Sequence, residues 1–123
     1  MTSEEKKAYL LIKSVIFHYH GLDEDEQAIL EETATNIQGH DELEWATQFI
    51  GEDYVNAFDR AKDYLSDVMM DFPPETRLKY ICLAWDANNR KGYISEMEAT
   101  AMLKLANTLG IQGDFLSYIK SSN

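Results

Sequence analysis

Apolar residues recur at spacings of three and four along almost the whole chain, and no stretch alternates apolar and polar residues over the length of a β-strand. That period is typical of amphipathic helices, because side chains three and four residues apart lie on the same helix face. The pattern therefore predicts an all-α fold, a compact bundle of about six to seven helices.

Capping signals divide this pattern into separate helices. Asp23 is followed three residues later by Glu26, which is the arrangement of a capping box. Thr2 with Glu5 repeats it, and so do Asp41 with Glu44 and Ser95 with Glu98. The predicted helices span about 4–19, 24–37, 42–50, 53–71, 74–86 and 96–109, with a short last helix capped by Asp114.

Glycines and prolines predict where these helices end. We expect Gly39 to end the second helix, Gly51 to separate the third from the fourth, and Gly110 to end the sixth. Pro73 stops the fourth helix, and Pro74 suits the first position of the next. The first helix is apolar on most sides and is therefore predicted to be central. The fourth is expected to turn these residues inward: Val55, Phe58, Ala61, Leu65, Val68, Met69 and Phe72.

The sequence also predicts an internal repeat. Laying residues 94–109 on residues 22–37 aligns their capping residues and the glutamates that follow. The repeat halves extend over roughly 4–38 and 74–111, and they imply pseudo-twofold symmetry within a single domain of residues 1–123.

The chain is strongly acidic, with a net charge of −11, and the acidity is uneven. Residues 1–76 carry 18 acidic and 5 basic side chains, whereas residues 77–123 carry 4 and 6. The negative electrostatic potential of so acidic a chain disfavours binding to nucleic acid or anionic lipid, and it favours binding of cations or of a basic protein surface. The simpler alternative is that acidic helix faces keep a small protein soluble.

The beginning of the chain carries charges of both signs, and no segment approaches the roughly 20 apolar residues of a membrane span. We therefore expect a cytoplasmic protein without a signal peptide and without direct membrane insertion. The chain has a single cysteine, Cys82, so an internal disulfide is excluded. Cys82 lies in an apolar helical run, which predicts a buried, inert thiol.

The stretch from Trp85 to Glu98 has the outline of a calcium loop between two helices. Such a loop places oxygen ligands at positions 1, 3, 5 and 12 and a glycine at position 6. With Glu98 at position 12, Gly92 takes the glycine position. One inserted residue then brings Asp86 to position 1 and Asn88 to position 3.

Position 5 of the loop, the third ligand position, argues against a metal ion here. It is taken by Lys91 or Arg90, according to the register, where an ion needs an oxygen. We therefore favour a capped connector, and no cofactor is expected. If calcium or magnesium does bind here, the expected metal ligands are Asp86, Asn88 and Glu98.

Two histidines close to acidic residues invite a second metal hypothesis. His18 and His20 precede Asp23 and Glu26, and transition metals bind imidazole and carboxylate. However, residues two apart on a helix point about 200° away from each other, so both rings cannot face one ion there. We interpret them as partly exposed histidines at a helix end.

No arrangement of catalytic residues emerges. The chain has no Gly-rich phosphate loop, no nucleophile elbow, and no Cys/His or Ser/His pair with the spacing of a triad. This favours a binding module over an enzyme.

The chain contains, in this order, a helix, a Gly loop, Ile-Ser-x-x-Glu, a second helix and Leu-Gly-Ile. This order is seen in residues 85–98 and 109–111, and more faintly in residues 21–26. In this order the chain resembles the tellurite-resistance TerB-like family. A related domain begins some DnaJ-type membrane co-chaperones. The resemblance implies a non-enzymatic helical module of the bacterial stress response that binds cations or docks to membrane-associated protein partners. The chain departs from the family pattern at His20-Gly21, which replaces Asp-Gly, and at the basic Arg90-Lys91.

Three functions remain at this point. The first is a TerB-like interaction module with a protein partner. The others are an EF-hand-like cation binder and an acidic decoy that occupies a basic partner.

Overall fold

The computed structural model describes residues 1–19, 22–90 and 92–121, and these residues form seven α-helices and no β-strand. The helices are α1 (Ser3–Tyr19), α2 (Glu24–Ile37), α3 (His40–Glu52), α4 (Ala57–Met69), α5 (Pro74–Asn89), α6 (Glu96–Thr108) and α7 (Gln112–Ser121). The prediction of an all-α bundle is confirmed.

Helix α1 is the centre of the bundle, as its apolar surface predicts. It packs against α2, α3, α4, α5 and α6. All residues from 8 to 17 are buried, because neighbouring helices cover α1 on every side. One side joins the main core with α3 to α7, and Leu10 and Phe17 join a smaller cluster under α2. Among the residues that the structure describes, no helix is both long and apolar enough to cross a bilayer.

Of the four predicted capping signals, Asp41 with Glu44 is wrong, because α3 begins at His40 and has no side-chain hydrogen bond at its N-cap. The other three are confirmed as capping boxes, and in two of them the glutamate is buried. In each, the glutamate amide donates to the capping side chain, and the glutamate carboxylate accepts from the capping amide. Glu26 and Glu98 are fully buried, whereas Glu5 is partly exposed and accepts a hydrogen bond from the Tyr80 hydroxyl at 2.6 Å. The bonded pairs are Thr2 with Glu5, Asp23 with Glu26, and Ser95 with Glu98.

The predicted end of the second helix is confirmed, and the predicted break at Gly51 is wrong. Helix α2 ends at Ile37, before Gly39, although the left-handed residue that follows it is Gln38, with φ of 55°. Gly39 is instead buried, and a Cβ there would lie 3.2 Å from side-chain atoms of Leu10 and Ile37, so the glycine permits a close approach of α1. Helix α3 continues through Gly51, because an exposed glycine costs a helix only about 1 kcal/mol. The expected left-handed glycine at Gly110 is confirmed, with φ of 74°.

The fourth helix begins later than its apolar pattern predicts. Residues 53–56 form a turn, in which the Asp53 carboxylate accepts hydrogen bonds from the amide and the side chain of Asn56. Such local bonds compete with the helix, so α4 begins at Ala57. Val55 therefore does not point inward: it is 89% exposed, and its predicted place in the core is wrong.

Helix boundaries near the candidate loop also differ from the prediction. Helix α5 continues three residues beyond 86, so Asn88 lies on a helix and not in the loop. The last helix begins at Gln112, two residues before its predicted cap Asp114, which lies in its first turn instead.

Candidate functional site

The connection between α5 and α6 is held together by a buried carboxylate. Glu98 and Asn88 are both fully buried, and the Asn88 side-chain amide donates to Glu98 Oε2 at 2.6 Å. The other carboxylate oxygen, Oε1, accepts from the Ser95 backbone amide at 3.1 Å. Glu98 therefore fixes the start of α6 to the end of α5.

The third predicted ligand points elsewhere. Asp86 is exposed, and its Oδ2 accepts a hydrogen bond from the Tyr118 hydroxyl of α7 at 2.6 Å. The structure thus brings Asn88 and Glu98 together and directs Asp86 toward another helix. Among the described residues, no three His, Cys, Asp or Glu side chains are placed to hold a metal ion. Binding of calcium or magnesium at this loop stays a prediction. Lys91 of the loop lies outside the described residues.

Divalent cations are expected to leave the melting temperature within about 1 °C of its value in EDTA. An ion at Glu98 would have to displace the donors of Ser95 and Asn88, which already satisfy both carboxylate oxygens. Thermal melting followed by circular dichroism, with millimolar calcium or magnesium, checks this. A rise of several degrees that disappears in Glu98→Gln would instead establish a cation site.

A buried lysine forms a second candidate site, in which the buried charge is positive and not negative. Lys13 lies in the middle of α1 and is 1% exposed. Its ammonium donates to Thr33 Oγ1 of α2 at 2.5 Å and lies 5.4 Å from the centre of the Tyr9 ring. Within the part of the chain that the structure describes, no carboxylate forms a salt bridge with it. The charge is buried with a single neutral acceptor.

Burial lowers the pKa of Lys13 to about 8, because the interior disfavours the charged form. The Arg90 guanidinium lowers this pKa further, whereas Glu32 raises it. Arg90 and Glu32 form an exposed ion pair at 3.3 Å, so they largely compensate each other. Sequence reasoning missed this site, although one signal was present: Lys13 is the only charged residue in the apolar run 8–17.

Lys13→Met is expected to stabilise the protein by about 2 kcal/mol at pH 7. The pKa of Lys13 in the folded protein is about 8, below the ordinary 10.5. Keeping the side chain protonated at pH 7 therefore lowers the free energy of unfolding by about 3 kcal/mol. The hydrogen bond to Thr33 offsets about 1 kcal/mol of this loss. Between pH 8 and 10.5 the unfolded chain still holds the proton that the folded protein has released. The stability of the wild type therefore rises relative to the variant across that window.

Urea denaturation of the two proteins at pH 7, 8, 9 and 10 checks this expectation. Other titrating groups, such as Tyr9 and Cys82, are present in both proteins and largely cancel in the difference. A Lys13→Met variant that is less stable than the wild type at pH 7 would show that the ammonium is well solvated or paired.

An apolar cavity lies near the turn between α3 and α4. The His18 ring packs edge-on against Tyr54, with centroids 3.9 Å apart and planes at 70°, and burial lowers the pKa of His18. The cavity measures about 230 Å³, and its walls include Leu22, Leu30 and Tyr54. His18 is half-buried, as expected for a histidine at a helix end, whereas His20 lies outside the described residues.

Two buried polar atoms in the walls of this cavity have no hydrogen-bond partner among the residues that the structure describes. They are Ser14 Oγ and His18 Nε2, which lie four residues apart on one face of α1. Buried polar atoms are normally satisfied, so such atoms beside a cavity mark a place where a ligand or partner group can bind. The sequence contains both residues, but their spacing alone did not distinguish them from other helical pairs.

The predicted burial of Cys82 is confirmed, since the residue is 8% exposed. Burial raises the pKa of the Cys82 thiol to about 11, and the negative charge of Asp86 contributes a smaller part of this increase. At neutral pH the thiolate is therefore scarce, and Cys82 is unsuited to act as a nucleophile.

The fold and these sites define a small all-helical bundle with separate cavities on different sides of its central helix. No family model, no curated protein and no solved structure matches the chain. The resemblance to the TerB-like family therefore stays a prediction.

Proposed function

We propose that the chain is a non-enzymatic, TerB-like interaction module that binds a protein partner at the turn between α3 and α4. The observation that carries this proposal is a group of exposed apolar side chains around the cavity at that turn. Val55 is 89% exposed, Tyr54 61% and Leu22 42%. Tyr54 and Leu22 line the same cavity, and Val55 lines a neighbouring one beside Tyr54.

Exposed apolar side chains around a cavity with unsatisfied polar atoms have the features of a protein-binding site. Aromatic residues such as Tyr54 are enriched in interfaces, because they bury a large area and still offer a hydrogen bond. The cavity can accept one apolar side chain of the partner, and Ser14 Oγ and His18 Nε2 can bond to a polar group at its end.

The charge of the surrounding chain specifies the partner further. Residues 1–76, which build this surface, carry 18 acidic and 5 basic side chains, and Asp53 lies directly beside Tyr54. A partner with an apolar side chain flanked by basic residues is therefore favoured. The resemblance to the TerB-like family adds that such a partner is membrane-associated.

The absence of catalysis is supported by the environment of the reactive residue types. Ser14 and His18 form no hydrogen bond with each other, so the histidine does not activate the hydroxyl as in a nucleophilic pair. The thiol of Cys82 is buried and protonated at neutral pH.

Affinity capture with matched variants tests the proposal. Wild type, the double variant Tyr54→Ser/Val55→Ser, and Tyr93→Ser are used as baits in lysate of the native cell, with quantitative mass spectrometry. Tyr93 is a close control, because it is 62% exposed but lies in the connection between α5 and α6 and lines neither of these cavities. A partner should be lost at least tenfold from the double variant and retained by Tyr93→Ser.

Titration of the purified partner by calorimetry then measures the same contrast directly. Proteins captured equally by all three baits would contradict docking at this turn. So would a purified partner that binds the double variant as tightly as it binds the wild type.

A further inference from the structure

We propose that the cavity between α1, α2 and α5 binds a small monocarboxylate, with Lys13 as the buried counter-charge and Arg90 at the exposed rim. This site is separate from the protein-binding surface proposed at Tyr54. The cavity measures about 270 Å³. The polar and aromatic side chains in its lining include Tyr9, Lys13, Thr33, Asn36, Asp86 and Arg90.

The geometry of Lys13 leaves it incompletely bonded. An ammonium has three donors, and here Thr33 Oγ1 accepts one hydrogen bond. The Thr33 hydroxyl gives its own hydrogen to the Ile29 carbonyl at 2.8 Å, so it serves Lys13 as an acceptor. The Tyr9 ring at 5.4 Å adds a weak cation–π attraction. A carboxylate in the cavity would supply the two acceptor oxygens that the ammonium lacks.

The balance of charge indicates a single negative charge on the ligand. Arg90 and Glu32 pair with each other, and no carboxylate of the described residues forms a salt bridge with Lys13. Asp86 at the wall keeps its negative charge, because the Tyr118 hydroxyl bonded to it is neutral. One negative charge on the ligand pairs with Lys13, whereas a second would be repelled by Asp86.

The depth and size of the cavity limit the ligand to a few heavy atoms. The cavity is smaller than the roughly 300–1,000 Å³ of pockets for drug-sized molecules. Lys13 is buried, whereas the Arg90 side chain is 54% exposed. Because the Arg90–Glu32 pair is exposed and contributes little to stability, Arg90 can turn to the ligand at small cost. Asn36 also lines the wall and offers a further polar contact.

Titration with sodium acetate, followed by two-dimensional amide NMR at pH 7, tests the proposal. Sodium chloride at equal ionic strength is the reference, and sodium phosphate is a second probe. We expect saturable shifts for amides around Thr33, Asn36 and Arg90, with a Kd on the order of 1 mM, as suits a ligand of four heavy atoms.

Two lysine variants distinguish a specific site from general charge effects. Lys13→Met should weaken acetate binding at least tenfold, and it is expected to fold, because it removes a buried charge. Lys79→Met is the matched control, since Lys79 is an exposed lysine that lies 5.6 Å from the Tyr80 ring. It should bind acetate as the wild type does. Arg90→Gln should weaken binding severalfold.

Three results would overturn the proposal. They are equal shifts with acetate and chloride, unchanged acetate binding in Lys13→Met, and saturation by phosphate at lower concentration than by acetate. The Tyr54→Ser/Val55→Ser variant should bind acetate normally, so failure here and failure of the proposed protein interaction remain distinguishable.

Discussion

Phe115→Ala is expected to lower the free energy of unfolding by about 3–5 kcal/mol, the range for aromatic residues removed from a core. Phe115 is fully buried and belongs to the main core. Its ring stands edge-on to Trp85 of α5, with centroids 5.7 Å apart and planes at 84°. Since Phe115 is the one fully buried side chain of α7, its loss should detach the helix from α5 and α6.

Urea denaturation followed by circular dichroism and Trp fluorescence measures this effect. Leu116→Ala is the matched control, because Leu116 is the next residue and is 36% exposed. It should cost less than about 1 kcal/mol. Equal losses in the two variants would show that α7 is not held to the bundle by Phe115.

Glu98→Ala is expected to lower the free energy of unfolding by about 3 kcal/mol. The substitution removes the acceptor of the Asn88 side-chain amide and of the Ser95 backbone amide, both of which would stay behind without partners. Each unsatisfied buried donor costs about 1–3 kcal/mol, and the reciprocal cap of α6 is lost as well.

Two neighbouring variants make this prediction specific. Glu96 lies in the same first turn of α6 but is exposed, so Glu96→Ala should change stability by less than about 0.5 kcal/mol. Glu98→Gln keeps an acceptor oxygen and should cost less than the alanine variant. A Glu98→Ala variant as stable as the wild type would mean that water replaces the carboxylate and that this connection is not rigid.

The central helix explains how one small bundle offers two different cavities. Lys13 and Ser14 are adjacent on α1, and adjacent residues point about 100° apart on a helix. Lys13 therefore reaches the cavity toward α2 and α5, while Ser14 and His18 reach the one near the α3–α4 turn. The proposed monocarboxylate site and the proposed docking surface are consequently on different sides of the same helix.

Local features of the fold could be predicted because they depend on residues close in the chain. The capping boxes at Asp23 and Ser95 were found from a spacing of three, and the left-handed Gly110 from its place after a helix. The central position of α1 followed from apolar residues on most of its sides.

Two other features could not be found from apolar spacing. Val55 fits an apolar stripe, but local hydrogen bonds between Asp53 and Asn56 hold residues 53–56 in a turn and leave Val55 exposed. Asp86 fits a ligand position in a calcium loop, yet its carboxylate accepts a hydrogen bond from Tyr118, 32 residues later. Spacing predicts neither outcome, because it specifies neither which local bonds compete with a helix nor which helix covers which face.

The sequence by itself determined that this protein is an acidic, all-helical bundle with capped helices around a central apolar one. Periodicity and short-range hydrogen bonds suffice for that, since they act within a few residues. Tertiary structure alone decided which polar groups share an environment: Glu98 with Asn88, Lys13 with Thr33, and Ser14 and His18 at one cavity. The reason is physical, because burial sets the cost of each polar group, and burial is created by helices that meet only when the whole chain has folded.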